Sequence, residues 1–308
     1  MRPQLGDTGT GPSYRWVWGA LDDWLSRSWL GRLPAALFER QCRQQGFLQR
    51  ARYVVRLRSL APANRTPPVR VAFLTDLHLG RTVPLWFIER AIGAAMEWQP
   101  DLILLGGDTI LFEERPSAGA ERVLRALQAP LGAYAVHGNH DLWLRDGGPD
   151  AMYRAAGITV LKNQGLVIET AAGPIWLCGV DDEWGGSPDP HAALRDRPEG
   201  MPSLMVAHNP VTALRFPPDG PDLCLSGHTH GGQWCYPSGA AIWIPERRKL
   251  NHASGWKRVG YTWVYVSRGL GGGTLPFRIN CRPEVTLLTL TGGCASQHPA
   301  ASRARPPA

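Results

Sequence analysis

Hydrophobic positions fall into short runs separated by polar breaks, and their period changes along the chain. Val69–Leu74 is apolar and rich in β-branched residues and stops at Thr75-Asp76, which predicts a buried strand. Pro84–Trp98 places Leu85, Ile88, Ile92 and Met96 at helical spacing, with Pro at the first turn. Asp101–Leu105 predicts a strand ending in Gly106-Gly107-Asp108, and Ala120–Gln128 a helix. Ala133–His137 predicts a strand running into Gly138-Asn139-His140-Asp141. Further strands are predicted at Ile175–Val180, Ser203–Ala207, Leu223–Ser226, Val264–Ser267 and Glu284–Leu290. This β-α-β-α order implies a layered α/β fold, in which ligands gather beyond the carboxyl ends of the strands.

Three regions follow from the pattern. Residues 1–68 are rich in Arg and Trp and close at the breaker cluster 61–68. Within them, residues 14–60 predict one or two amphipathic helices. Leu21, Trp24, Leu25, Trp29 and Leu33 share helical spacing, and Leu37, Phe47, Leu48, Val54 and Val55 mark a second stretch, 35–60. Residues 69–291 form the body, and the small, polar, Pro-containing residues 292–308 predict a disordered tail.

Composition narrows the class. In 308 residues, 44% are hydrophobic and 19% charged, which suits a folded chain with a sizeable core and excludes wholesale disorder. The net charge of +7 belongs to residues 1–68, which hold eleven Arg against three Asp and one Glu. Basic charge, four Trp (Trp16, Trp18, Trp24, Trp29) and an apolar face together predict peripheral membrane contact through residues 14–60. The competing expectation is that these helices cap the body. Charge alone favours nucleic acid, so none is expected as a partner. The longest run free of Asp, Glu, Lys and Arg, Leu223–Pro245, carries two His, a Gln and two Pro, and so is no membrane span. The start of the chain lacks the apolar core of a secretory signal, which leads us to expect a cytoplasmic protein at the inner membrane face. Six cysteines without paired CxxC spacing read as reduced packing thiols rather than a zinc ribbon.

Five polar clusters follow hydrophobic strands: Asp76-Leu77-His78, Gly107-Asp108, Gly138-Asn139-His140, His208 in Ala-His-Asn-Pro, and Gly227-His228-Thr229-His230. Residues i and i+2 of an extended segment point the same way, so Asp76 with His78, and His228 with His230, can grip one ion. Carboxylate, imidazole and one amide oxygen, with no thiolate, suit Mn, Fe or Zn. Seven such residues are too many for one tetrahedral ion and fit two divalent ions about 3.5–4 Å apart, a pair that activates water and clamps phosphoryl oxygens. The predicted chemistry is phosphate-ester hydrolysis. A single Asp-x-His or Gly-Asp usually marks only a turn; the ordered set of five carries the reading. His137, His191, His252 and His298 have no partner pattern and are expected to be structural or surface residues.

The order Asp-x-His, Gly-Asp, Gly-Asn-His, His, Gly-His-x-His resembles the calcineurin-like metallophosphoesterase superfamily. Residues 74–80, 136–141, 226–233 and 267–271 resemble its bacterial membrane-associated branch, which includes UDP-2,3-diacylglucosamine hydrolases of lipid A synthesis. The resemblance implies a two-sheet α/β sandwich flanked by helices. It assigns one metal to Asp76, His78, Asp108 and His230, and the other to Asp108, Asn139, His208 and His228. It makes His140 the group that protonates the leaving oxygen or steadies the phosphate. The implied substrate is a phosphorylated small molecule or a lipid-linked nucleotide sugar. A non-catalytic membrane-surface module on the same fold, and a phosphodiesterase for cyclic nucleotides or nucleic acid, are the alternatives. The superfamily's protein phosphatases place an Asp where this chain has Leu111, which argues against a phosphoprotein substrate and leaves the orientation of His140 to be found. Arg268 is a candidate phosphate contact, and Asp181 and Asp182 are expected to order the rim.

Overall fold

The computed structural model describes residues 29–111, 118–144, 149–273, 275–293 and 299–301. Residues 14–28 and most of the expected tail lie outside these. In chain order the elements are α1 (Trp29–Cys42), β1 (Gln49–Leu57), β2 (Val69–Leu74), α2 (Leu85–Met96), β3 (Leu102–Leu105), α3 (Ala118–Arg125), β4 (Ala133–Ala135), α4 (Asn139–Trp143), α5 (Asp150–Ala155) and β5 (Thr159–Val160). They continue with β6 (Gln164–Ile168), β7 (Ile175–Gly179), α6 (Pro190–Leu194), β8 (Ser203–Val206), β9 (Leu223–Ser226), β10 (Gly255–Val259), β11 (Thr262–Val266), β12 (Glu284–Gly292) and β13 (Ala300–Ala301).

Two sheets pack face to face, one in the order β13-β1-β12-β2-β3-β4-β5, the other β10-β11-β9-β8-β7-β6. Strand residues alternate between two buried faces. Val69, Val71 and Phe73 of β2, Leu102 and Leu104 of β3, Leu177 of β7, and Leu223 and Leu225 of β9 meet between the sheets. Ala72, Leu74, Ile103 and Leu105 turn outward, under Phe38 of α1 and Phe87, Ile88 and Ala91 of α2. On the other side Trp176, Cys178, Met205 and Cys224 turn toward Ala193 and Leu194 of α6. Burial on both faces explains why these strands read as continuous apolar runs. The result is the two-sheet α/β sandwich flanked by helices that the resemblance implied.

The central strands β2, β3 and β4 run parallel, as do β7, β8, β9 and β11. Each sheet therefore delivers several loops to one edge, and every predicted polar cluster leaves the carboxyl end of one of these strands.

Residues 35–60 correct the expectation of a second amphipathic helix. Only α1 is helical; β1 lies parallel to β12 along all nine of its residues and antiparallel to β13. Val55 and Leu57 enter the inter-sheet core, which forces the period-2 conformation whatever the Arg and Gln content. The body thus begins before residue 69, and Ala300–Ala301 of the expected tail join the sheet. Four of the eleven N-terminal arginines, Arg50, Arg52, Arg56 and Arg58, lie on or beside β1. Arg50 pairs with Glu97 at 2.5 Å, and the Arg52 guanidinium lies 5.0 Å from the Trp98 ring. Part of the basic excess is therefore fixed to the body. The five described cysteines are free and buried, as expected.

A chain starting at Val69 would lose β1 and bare the long edge of β12. We expect it to aggregate or to lose the cooperative thermal transition of the full chain in near-ultraviolet circular dichroism. An unchanged melting profile would show that β1 is dispensable.

Candidate metal centre

The loops after β2, β3, β4, β8 and β9 bring Asp76, His78, Asp108, Asn139, His140, His208, His228 and His230 into one cluster. His78 Nε2 and His230 Nε2 are 3.2 Å apart, and His230 Nε2 is 3.6 Å from Asp76 Oδ1. Asp108 Oδ2 lies 3.7 Å from His78 Nε2, 3.3 Å from His208 Nε2 and 3.9 Å from His140 Nε2. Among the described residues, three groups could each hold an ion: Asp76-His78-His230, His78-Asp108-His140 and Asp108-His208-His228. Asp108 belongs to two of them, so its carboxylate stands between the halves of the cluster.

The backbone is forced to make this convergence. Asp76, His78, Asp108, His228 and His230 all have φ between 47° and 68°, the left-handed region that costs a non-glycine residue about 1–2 kcal/mol. Cross-loop bonds hold them there: Asp76 N donates to Gly107 O at 3.0 Å, His78 N to Asp108 O at 3.0 Å, and His228 N to Asp76 Oδ1 at 3.0 Å. Glycine is required where loops touch. A Cβ on Gly138 would strike the Asp108 carboxylate, and one on Gly227 would strike Thr75 Oγ1 and Asp76 Oδ2.

The donor chemistry fits divalent cations. His208 Nδ1 is 2.7 Å from Gly106 O; a carbonyl only accepts, so Nδ1 carries the proton and Nε2 faces Asp108. Asn139 Oδ1 and His228 Nε2 are buried acceptor-type atoms without a hydrogen-bond partner, an expensive condition unless a cation uses their lone pairs. Burial pushes the Asp76 carboxyl up to about 7 against the nearby His208 charge, and Asp182 likewise to about 7. Burial holds His78 and His228 down at about 3, with neighbouring imidazoles adding to the effect, and His230 well below its ordinary value. Burial also acts on Asp108 and His208, but there the mutual attraction of the pair wins: Asp108 is held well below the usual carboxylate range and His208 well above the usual imidazole one.

His140 is oriented without the carboxylate that Leu111 replaces. Its backbone N–H donates to Asp108 Oδ1 at 2.9 Å, and its ring packs against those of His78 and Trp143, with centroids 4.8 and 5.0 Å away. Asp141, which carries no signal of its own in the sequence, stiffens the base of this loop. Its Oδ1 accepts from Thr109 N at 2.9 Å and Ile110 N at 3.1 Å, and its Oδ2 from Gly138 N at 3.0 Å. Asp181 and Asp182 fold the next loop: Asp182 Oδ2 accepts from Trp184 N at 2.6 Å, and Asp181 Oδ2 from Ser187 N at 2.9 Å. Trp184 is thereby laid against His228, with ring centroids 4.7 Å apart. Arg268 corrects an expectation: its Nη1 is 2.9 Å from Gln49 Oε1 and 3.4 Å from Glu284 Oε2, so its fork serves β1 and β12 and does not line the cavity.

A cavity of 490 Å³ opens on the cluster. Asp108, Asn139, His140, His228 and His230 form its floor, and Trp143, Trp184, Trp234, Trp243, Ile242 and Leu275 much of its wall. Ile242 and Trp243 are 47% and 65% exposed, so the apolar wall reaches the surface. The sequence signalled these residues only weakly, since Trp143 ends the five-residue helix α4 and Trp184 lies in a loop, both too short to show a period.

Residues 69–232 match the calcineurin-like phosphoesterase family. The chain is 39% identical over 230 residues to Phosphodiesterase YaeI of Escherichia coli, covering 72% of this chain and 82% of that protein. It is 33% identical over 231 residues to the uncharacterized metallophosphoesterase YkuE of Bacillus subtilis, covering 72% and 78%. It is also 30% identical over 251 residues to a bovine transmembrane protein with metallophosphoesterase domain, covering 74% of this chain and 55% of that one. Among the described residues, no helix is long and apolar enough to cross a membrane.

Gly138→Ala should cost about 1–3 kcal/mol in urea unfolding, because the added methyl overlaps the Asp108 carboxylate. Gly93→Ala, in α2 with open space around it, should instead gain about 0.5–1 kcal/mol. Equal effects at the two positions would contradict the close approach.

Proposed function

As the chain belongs to the calcineurin-like phosphoesterase family, a family of metal-dependent phosphoric ester hydrolases, we propose that it hydrolyses a phosphodiester or pyrophosphate bond at a dinuclear centre. Asp76, His78, Asp108 and His230 hold one divalent ion, and Asp108, Asn139, His208 and His228 hold the other. Asp108 between two imidazole groups, with Asn139 Oδ1 and His228 Nε2 left without partners, is the observation that carries this reading. When bound, the ions supply Lewis acidity, activating water and neutralising charge that develops on phosphoryl oxygens. The chain's own groups do the rest. Asp108 keeps the two halves in register, and His140, on the cavity floor, steadies the phosphate or protonates the leaving oxygen, burial lowering its pKa against the opposing pull of Asp108. Trp143 and Trp184 flank His140 and His228 and keep bulk water off the reacting phosphate.

The substrate is proposed to carry an apolar group beside its phosphate, because the cavity wall is built of indole and aliphatic side chains. UDP-2,3-diacylglucosamine, the lipid-linked nucleotide sugar that the sequence resemblance offers, meets this description. The relative named a phosphodiesterase favours a diester over a monoester. Peripheral contact with the cytoplasmic face of a membrane through the part of residues 14–60 that precedes β1 completes the reading. In support of it, α1 seats Phe38 and Cys42 on the body and leaves Leu33 67% and Leu37 42% exposed, one turn apart.

The decisive experiment is hydrolysis of bis(p-nitrophenyl) phosphate and of UDP-2,3-diacylglucosamine, the latter read by UMP release. Metal content is measured in parallel. The full chain should bind Mn, Fe or Zn and turn over the diester, and a chelator should abolish turnover. Asp108→Ala should lose metal and activity together. His140→Ala should keep its metal and lose about 10²–10⁴-fold in kcat. Wild-type turnover no greater than that of Asp108→Ala would sink the enzymatic reading in favour of a binding module. Turnover of the generic diester without UMP release would remove only the named substrate.

In liposome sedimentation, Leu33→Glu/Leu37→Glu should pellet less than wild type with vesicles containing anionic lipid. Equal pelleting would reject membrane contact through α1.

A further inference from the structure

Arg278 is a cation 2% exposed, on the loop between β11 and β12, and plays no part in the proposed chemistry. Burying a guanidinium is unfavourable unless its charge and donors are satisfied. Here Nε and Nη2 donate to Gly271 O at 2.9 and 2.5 Å, Nη1 donates to His230 O at 3.3 Å, and Nη2 lies 3.5 Å from His230 Nδ1. Gly271 N in turn donates to Asp76 O at 2.6 Å. The two carbonyls that the guanidinium joins therefore belong to the His230 loop and to the strap behind Asp76. Both of those residues hold left-handed backbone, with φ of 53° for Asp76 and 51° for His230. Such backbone persists only where its surroundings over-determine it. Cys281 Sγ, 3.2 Å from His230 O, adds to the grip.

The same residue is held from outside by the N-terminal helix. Gln41 Nε2 donates to Arg278 O at 2.6 Å, and Arg278 N donates to Gln41 Oε1 at 2.9 Å. This pairing joins residues 237 apart in sequence. Helix α1 is itself seated by Phe38, whose ring lies 6.1 Å from that of Phe47 and 5.8 Å from that of Phe87. An unbroken chain of contacts thus runs from α1 through Gln41 and Arg278 to His230 and Asp76.

We propose that Arg278 is a positioning residue for His230 and Asp76, and that Gln41 makes the seating of α1 a condition for a well-formed metal centre. The inference rests on the dinuclear reading above. It assigns the N-terminal segment a role inside the site, beside any role at a membrane. A planar fork can bind two carbonyls in fixed geometry at once, which an ammonium cannot.

The test is a Co²⁺ titration of the full chain stripped of metal, followed by visible absorption. Circular dichroism and melting temperature report the fold of each variant. Gln41→Ala removes only a surface-side amide and should stay folded, yet bind Co²⁺ at the His230 side about tenfold more weakly, with a changed spectrum. Arg278→Lys keeps the charge and should remain about 10- to 100-fold weaker than wild type. Wild-type binding matched by Gln41→Ala would overturn the coupling to α1. A wild-type spectrum and affinity in Arg278→Lys would overturn the positioning role, since charge alone would then suffice. Wild-type protein that takes up no Co²⁺ would overturn the dinuclear reading and this inference with it.

Discussion

Asp76 and Asp108 are each no more than 1% exposed and both stand in the ligand cluster, and Asp182, equally buried, closes the loop beside it. Carboxylates so close and so dry repel one another by several kcal/mol unless positive charge stands between them, and each pays a desolvation cost besides. The protein supplies one answer of its own, drawing His208 toward the charged form beside Asp108, while burial keeps His78, His228 and His230 neutral. Neutral imidazoles interleaved with carboxylates make a poor internal ion pair and a good cation cage. The strained loops, the glycine contacts and the buried Arg278 all follow from holding those groups at that distance.

The fold answers this electrostatic demand by topology. Parallel strands end on the same edge of their sheet, and two sheets packed face to face bring two such edges together. Residues 76, 108, 139, 208 and 228 are far apart in sequence, yet each leaves its strand by two to four residues. The left-handed residues turn side chains back over the sheet edge that an extended continuation would carry past it. The strain is local; the hydrogen bonds that offset it are between loops. The site is thus only as well ordered as the contacts from one loop to the next.

That division explains what the sequence made legible. Strands buried on both faces left continuous apolar runs, and the ligand-type residues just beyond them gave away both the layered fold and the convergence. β1 is hidden by its Arg and Gln content, which masks its period. Tyr53, Val55 and Leu57 alternate with Arg52, Val54 and Arg56, a strand pattern that only its pairing with β12 makes decisive. Arg268 and Arg278 show the limit most plainly. Both lie in the one glycine-containing loop between β11 and β12, and nothing local says that one reaches β1 and β12 while the other lies behind a candidate ligand. Long-range partners such as Gln49 and Gln41 decide it, and those are fixed only when the whole chain has closed.

Chemistry and selectivity occupy different parts of the chain. The candidate ligands sit on short turns tied to the sheets, where a shift of an ångström would break the cluster. Much of the cavity wall comes from Trp143, the loop of Trp184, the segment 232–245 and Leu275, which lie outside the strands of the two sheets. Trp243 and Ile242 could change without disturbing a single bond among the floor residues, whereas Gly138 could not. Relatives that share the floor therefore need not share a substrate, and the proposed preference for an apolar group beside the phosphate rests on this chain's own wall of indole rings rather than on its ligand set.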